Sequence, residues 1–247
     1  GEWRAFAIQY RDSRNVLKTD SRPMDARNPD RKPINMTTLG GHYIHNFDTS
    51  AGQLDVLFWG VGQLGTWGSQ DHKAGALAAE AGYQPPILGK LKPWIRGGYF
   101  YGSGDDNPSD DKHNTFFEIL PTPRWYARFP FFNLMNNDDI FGQFMLHPHQ
   151  KLAIRAEVHS LRLAARNDLW YLGGGAFQPW TFGYIGRPSS GGRGLATLFD
   201  VSADYNMAAG LSFSGYYGVA RGKSVVAGVY PEGRNGHLGY VELTYRF

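Results

Sequence analysis

The chain contains no cysteine, so its chemistry rests on arginine, carboxylate and histidine side chains. Between positions 151 and 159, Lys151, Arg155, Glu157 and His159 alternate with Leu152, Ile154, Ala156 and Val158. Alternate residues of an extended segment share a face, which puts guanidinium, carboxylate and imidazole on one side and the apolar set on the other. A guanidinium pairs with carboxylates through two parallel hydrogen bonds and never loses its proton, so such a row suits reversible pairing with anions. Asp138 and Asp139 are adjacent, point to opposite faces and make a poor acid and base pair for glycoside hydrolysis. His42 and His45, three apart, also point to opposite faces of a strand, which argues against a shared metal; His147 and His149 flank Pro148 and read as a plain turn. The stretch 105–111 is acidic enough to suggest calcium but lacks the EF-hand glycine and closing glutamate, so it reads as a solvated external loop. The glycines of 60–65 fit the dinucleotide fingerprint, yet they lie in a β-patterned run with no helix behind it and read as strand glycines. No nucleophile elbow, phosphate loop or zinc-protease motif occurs, so the chain reads as a non-enzyme for which no cofactor and no metal is expected.

The elements that must position these residues have a period of two. At the C-terminus, Val241, Leu243, Tyr245 and Phe247 alternate with Glu242, Thr244 and Arg246; near 200, Phe199, Val201 and Ala203 alternate with Asp200, Ser202 and Asp204. The same reading gives about ten strands near 2–12, 35–48, 53–67, 72–83, 91–103, 138–147, 151–164, 195–207, 211–221 and 237–247. These are longer than the usual strands of soluble sheets. Short connections (49–52, 85–90, 148–150, 208–210) alternate with long ones (13–34, 104–137, 165–194, 222–236), and only 68–71 breaks the pattern. An up-and-down meander with one trimmed and one elaborated edge is what a transmembrane β-barrel builds, with short periplasmic turns and long outer loops. The expectation is therefore an all-β, antiparallel up-and-down transmembrane barrel. It forms a single domain over 1–247, with 104–137 and 165–194 as long extracellular or infolded loops. A soluble sandwich is the alternative, but its strands are shorter and its loops are not sorted by length.

Composition agrees with this reading. Glycine (32 of 247 residues) is abundant and aromatic residues reach 15%, whereas charged residues are only 19%. No apolar run approaches the length of a transmembrane helix, which leaves membrane strands open because alternating strands average out as polar. The net charge of +3 without a cluster of basic residues argues against nucleic-acid binding. Tyr83, Trp94, Tyr99, Tyr101, Tyr205, Tyr217, Tyr245 and Phe247 sit near strand ends on the apolar parity, where interfacial girdles would lie.

The stretch 159–177 (HSLRLAARNDLWYLGGGAF) resembles a recurrent segment of the alginate export family of outer-membrane β-barrels, and so does 117–135 (FEILPTPRWYARFPFFNLM). Weaker likenesses are 71–76 (DHKAGA) and 80–84 (EAGYQ). The final strand, ending in Tyr245 and Phe247, looks like the signal by which such barrels are recognised for assembly. The resemblance implies a monomeric barrel of about eighteen strands in the bacterial outer membrane. It also implies that an anionic polysaccharide passes through an arginine-rich lumen narrowed by infolded loops. With about ten strands here, the expectation is the C-terminal part of a longer chain, its signal peptide and first strands absent; a closed ten-stranded barrel would be tight for a polymer.

A polymer of that kind needs fixed positive charge along its path, enough to compensate its carboxylates without trapping them. The candidates are Arg96 and Arg155 on polar strand faces, with Glu157 and His159 beside the latter, and Arg162 and Arg166 near the outer end of a strand. Arg124 and Arg128 would sit on an infolded constriction, and Glu157, Asp168, Asp200 and Asp204 would balance the arginines. These residues would otherwise build salt-bridge networks or solvated loop charges. The expected partners are an anionic polysaccharide or small anions, outer-membrane lipid, the barrel assembly machinery and periplasmic export partners. A general diffusion porin for small anionic solutes and a surface carbohydrate-binding or adhesin β domain are the alternative functions.

Overall fold

Ten long strands pair in one antiparallel sheet. The computed structural model describes residues 1–119, 128–173 and 178–247. In chain order the long strands are β1 (Glu2–Asp12), β2 (Ile34–Thr49), β3 (Gly52–Trp67), β4 (Gln70–Gln84), β5 (Trp94–Gly102), β7 (Asn137–His149), β8 (Leu152–Leu163), β11 (Gly194–Ala208), β12 (Leu211–Gly222) and β13 (Asn235–Tyr245). Each pairs with the next along the chain, as in a meander, and β1 and β13 remain as open edges of a sheet that does not close on itself. The expected strands match within three residues at each end, because an alternating strand declares itself wherever one face is apolar. The short elements were not expected. β6 (Lys112–His113) pairs with the start of β4, β9 (Trp170–Gly173) and β10 (Tyr184–Arg187) form a hairpin of their own, and α1 (Met24–Arg27) and α2 (Ser224–Val229) are one turn or little more. None is long enough to establish a period.

The connections sort as expected. Turns at 50–51, 85–93, 150–151 and 209–210 lie along one edge; 13–33, 103–136, 164–193 and 223–234 lie along the other, together with the two-residue turn 68–69. That tight turn depends on Gly68, whose φ of +64° suits glycine and whose place leaves no room for a side chain, since a Cβ would lie 2.3 Å from the Asp30 carboxylate. Asp30 accepts hydrogen bonds from the Ser69 amide and hydroxyl, both at 2.9 Å, so the 13–33 connection is folded across the turn.

The two faces of the sheet are opposite in character. On the outward face Phe58, Ile140, Phe144, Val158, Phe199, Val201, Phe213 and Val241 are exposed, while Gln63, His72, Asp139, Gln143, Glu157, His159, Asp200 and Ser202 are buried on the inner face. A water-soluble sheet would hide the first set, so this inversion suits a lipid solvent outside and a polar interior. The apolar core lies where the long connections pack on the inner face, at that end of the sheet and, through Phe116 and Leu134 against Ala76, Ala78 and Phe100, as far as the middle of β3–β5. Ile34, Met36 and Trp67 meet Phe117, Tyr171, Phe182 and Tyr184 there, and Leu161, Leu195 and Leu198 meet Phe132, Trp170 and Val225. Gln63 of β3 fastens one loop by accepting from the Phe117 amide (2.8 Å) and donating to its carbonyl (2.9 Å).

One aromatic departs from expectation. Trp94 shares the parity of Arg96 and Phe100, which is the inner one, and its indole donates to Asp55 at 2.7 Å. The first residue of a strand takes its side from the pairing, and Trp94 pairs opposite Met145 on the inner row. Tyr83, Tyr99, Tyr101, Tyr205, Tyr217 and Tyr245 keep the outward parity.

Candidate functional site

The strand registers line up a polar belt across the inner face. Asp55 of β3 is opposite Gly82 of β4, Gly82 opposite Arg96 of β5, Arg96 opposite Gln143 of β7, Gln143 opposite Glu157 of β8, and Glu157 opposite Asp200 of β11. Five charged or amide side chains from five strands thus form one cross-strand row. Gly82 keeps the row open: a Cβ there would lie 2.2 Å from the Asp55 carboxylate and 2.4 Å from the Trp94 indole nitrogen, which meet across it.

The members of the belt are bonded to one another. Arg96 pairs with Glu80 at 2.7 Å, lies 3.9 Å from Asp55, and has its guanidinium 5.1 Å from the centre of the Trp94 ring. Gln143 donates to Glu157 at 2.6 Å, and Arg155 pairs with the same carboxylate. Asp200 accepts from the Tyr216 hydroxyl at 3.2 Å. Toward the loops, His159 and Asp139 form a buried pair at 2.8 Å, with Phe141 stacked on the imidazole at 5.4 Å. Both arginines keep about a fifth of their side-chain surface exposed while their acids are largely buried, so the guanidiniums are the groups presented to solvent.

Beside the belt lies a cavity of about 610 Å³, lined from β2 through β8 by Trp59, Trp94, Phe100 and Phe141 together with Arg96 and Arg155. Six adjacent strands laid flat span roughly 24 Å, so a single cavity touching them all means that the sheet curls around its inner face. Aromatic rings beside charge-assisted donors make a surface on which a sugar ring can stack while its carboxylate is bonded.

Arg128, in the 103–136 connection, reaches this face from above. Its guanidinium bonds Asp204 of β11 at 2.9 Å, and Ser214 of β12 donates to the same carboxylate at 2.6 Å. The structure thus places Arg96, Arg155, Glu157, His159, Asp200, Asp204 and Arg128 on the inner face. Arg162 stands elsewhere: β8 runs on to Leu163, so alternation carries Arg162 to the outward side, where it pairs with Asp138 at 3.0 Å. Arg166 is exposed on the 164–193 connection. Arg124 lies outside the described residues. Asp168 is buried beneath the loops and accepts from the Asp105 and Leu169 amides and the Thr115 and Tyr171 hydroxyls at 2.6–2.9 Å. Burial raises its pKa to about 6 despite these donors. Its neighbour Asp105 is also buried, which corrects the reading of 105–111 as a solvated loop; two of the stretch's acceptors bond its own backbone, Asp105 accepting from the Asn107 amide and Asn107 from the Ser109 amide. Glu80, Asp55 and Gln143 are not among the residues the sequence singles out, since only the cross-strand register reveals them as neighbours of Arg96 and Glu157.

No curated protein matches the chain. Over residues 4–219 it matches the family model described as Alginate export, which covers nine of the ten long strands and the three longest connections between them. That family is one of outer-membrane β-barrels and of transport rather than catalysis. The meander, its sorted connections and this match together place the chain in the alginate export family.

Proposed function

We propose that the inner face of this sheet lines a water-filled path in the outer membrane for an anionic, alginate-like polysaccharide. Arg96, Arg155 and Arg128 are its stepping points and Trp59 and Trp94 its stacking surfaces. The observation that carries this reading is the cavity of about 610 Å³ in which both strand arginines stand beside aromatic rings. Each arginine already has a carboxylate partner in Glu80, Glu157 or Asp204. A passing uronate therefore exchanges with an internal acid instead of meeting a bare cation, which compensates the polymer's charge without holding it in place. The internal acids also hold the guanidiniums in position between encounters.

The long-connection edge is the extracellular side in this reading, and the 103–136 connection narrows the path through the contact of Arg128 with Asp204. Both open edges need hydrogen-bond partners in lipid, where unpaired backbone groups are costly.

The test is conductance of the full chain in planar bilayers. Polymannuronate should block the ionic current reversibly, and Arg155→Ala should weaken the block and lower the preference for anions. Free passage of small anions with no block by the polymer would replace the polysaccharide with small anionic solutes. A chain that is folded and monomeric in detergent-free buffer would exclude a membrane path and leave a surface carbohydrate-binding domain.

A further inference from the structure

The outward face carries a second concentration of charge, separate from the belt. Along β7, β8, β11 and β12 the outward side chains are apolar or small until the long-connection end, where cations collect. Arg162 of β8 and Arg193 just before β11 both bond Asp138, at 3.0 and 3.5 Å, and nearly half of each arginine's side-chain surface is exposed. One buried carboxylate thus orients two guanidiniums, and Arg193 is held further by its Nε donating to the Leu163 carbonyl at 2.8 Å. Thr197 is opposite Arg221 of β12 on one side and Ser160 of β8 on the other. The Lys223 ammonium comes to Ser160 at 3.3 Å. Four cations therefore gather at the outward, long-connection ends of three adjacent strands, Arg162 and Arg221 within β8 and β12 and Arg193 and Lys223 beside β11 and β12, and Asp138 is the one carboxylate among the outward side chains of β7, β8, β11 and β12.

The row just below is apolar: Val219, Phe199 and Val158 stand opposite one another, and the Arg221 guanidinium lies over the Phe199 ring at 6.0 Å. Cations thus stand where the lipid-facing band ends, at the depth of headgroups rather than in the water-filled path. Charge complementarity then selects the occupant. A surface with four cations and one acid, three of the cations being arginines with fork geometry, fits phosphomonoesters, and the apolar row beneath fits the acyl chains that follow them.

We propose that Arg162, Arg193, Arg221 and Lys223 form a docking surface for the phosphorylated headgroup of an outer-leaflet glycolipid. The proposal rests on the reading of the long-connection edge as extracellular, but not on the cargo of the path.

The experiment is native mass spectrometry of the full chain in detergent, titrated with diphosphorylated lipid A and, separately, with the same lipid stripped of its phosphates. The phosphorylated lipid should bind at least tenfold more tightly, and Arg162→Gln with Arg193→Gln should remove that preference. The pair Arg221→Gln and Lys223→Gln leaves the Asp138 contacts intact; it should weaken binding several-fold and leave conductance unchanged, which separates this surface from the path. Equal binding of the two lipids, or preference unaffected by either double variant, would overturn the proposal. Displacement by millimolar inorganic phosphate would also overturn it, by reducing the surface to a free-anion site. Loss of polymer block with lipid preference retained would count against the proposed path alone.

Discussion

Arg155, Glu157 and Gln143 show how one residue's environment sets its role. Glu157 is buried and already bonded to Gln143 at 2.6 Å, so removing Arg155 leaves the carboxylate one partner. Arg155→Ala should therefore cost about 1–3 kcal/mol, since buried Glu157 loses its charged partner opposite Asp200, yet leave the protein folded while shifting the reversal potential of the channel toward cations. Loss of folded protein in this variant, measured by heat-modified gel mobility, would mean that the arginine is structural. Asp139 is a different case. His159 is buried with it, and Asp139→Ala strands the imidazole in a dry site, so the variant should lose about 1–3 kcal/mol in urea unfolding from detergent. At this scale the sequence was legible where parity sufficed, as for Arg155, Glu157 and His159. It was silent on Asp55 and Glu80 and assigned Trp94 to the wrong face, because a cross-strand neighbour is set by register, and register is a property of two strands. Arg162 was misplaced for a simpler reason: alternation was not carried through to the end of β8.

At the scale of elements, β8 separates lipid from water residue by residue. Val158 is exposed on the outward side between Phe199 and Gly142, near the middle of the strand. Val158→Arg should hinder insertion at a cost between the ~2–4 kcal/mol of the midplane and the ~0–1 kcal/mol of the interface, measured as the fraction folded into vesicles. The same substitution at Ser202, on the inner face, should insert better than Val158→Arg. The loop layer has its own switch in Asp168, which lies in the 164–193 connection outside the spans. Its pKa is raised by burial from 3.8 to about 6, so the folded loops bind a proton more readily than the unfolded chain. The stability it contributes is complete below about 3.8 and is lost as pH rises through about 6. Hydrogen-exchange protection of the Asp105 and Leu169 amides should therefore increase as pH falls from 8 to 4, and Asp168→Asn should flatten the profile. Long strands and the sorting of their connections were readable because both are periodic features. β6, β9 and β10 were not, since two to four residues in a glycine- and proline-rich loop carry no period.

For the molecule as a whole, the exposed apolar face and the buried polar face suit lipid on one side and water on the other. Fold class, meander order and family were legible in the sequence because they follow from alternation and from two long stretches of likeness. The belt and the outward cation cluster needed coordinates, because each is assembled from strands far apart in sequence. The absence of cysteine permits a direct test. Single cysteines placed at each position from 153 to 160 in the membrane-inserted chain would carry spin labels, and accessibility to oxygen, which favours lipid, would be compared with accessibility to a water-soluble nickel chelate. Labels at 154, 156 and 158 should favour oxygen and those at 155, 157 and 159 the nickel chelate, with a period of two. Accessibility that does not alternate, or alternates with the opposite parity, would contradict the division of faces and the path that depends on it.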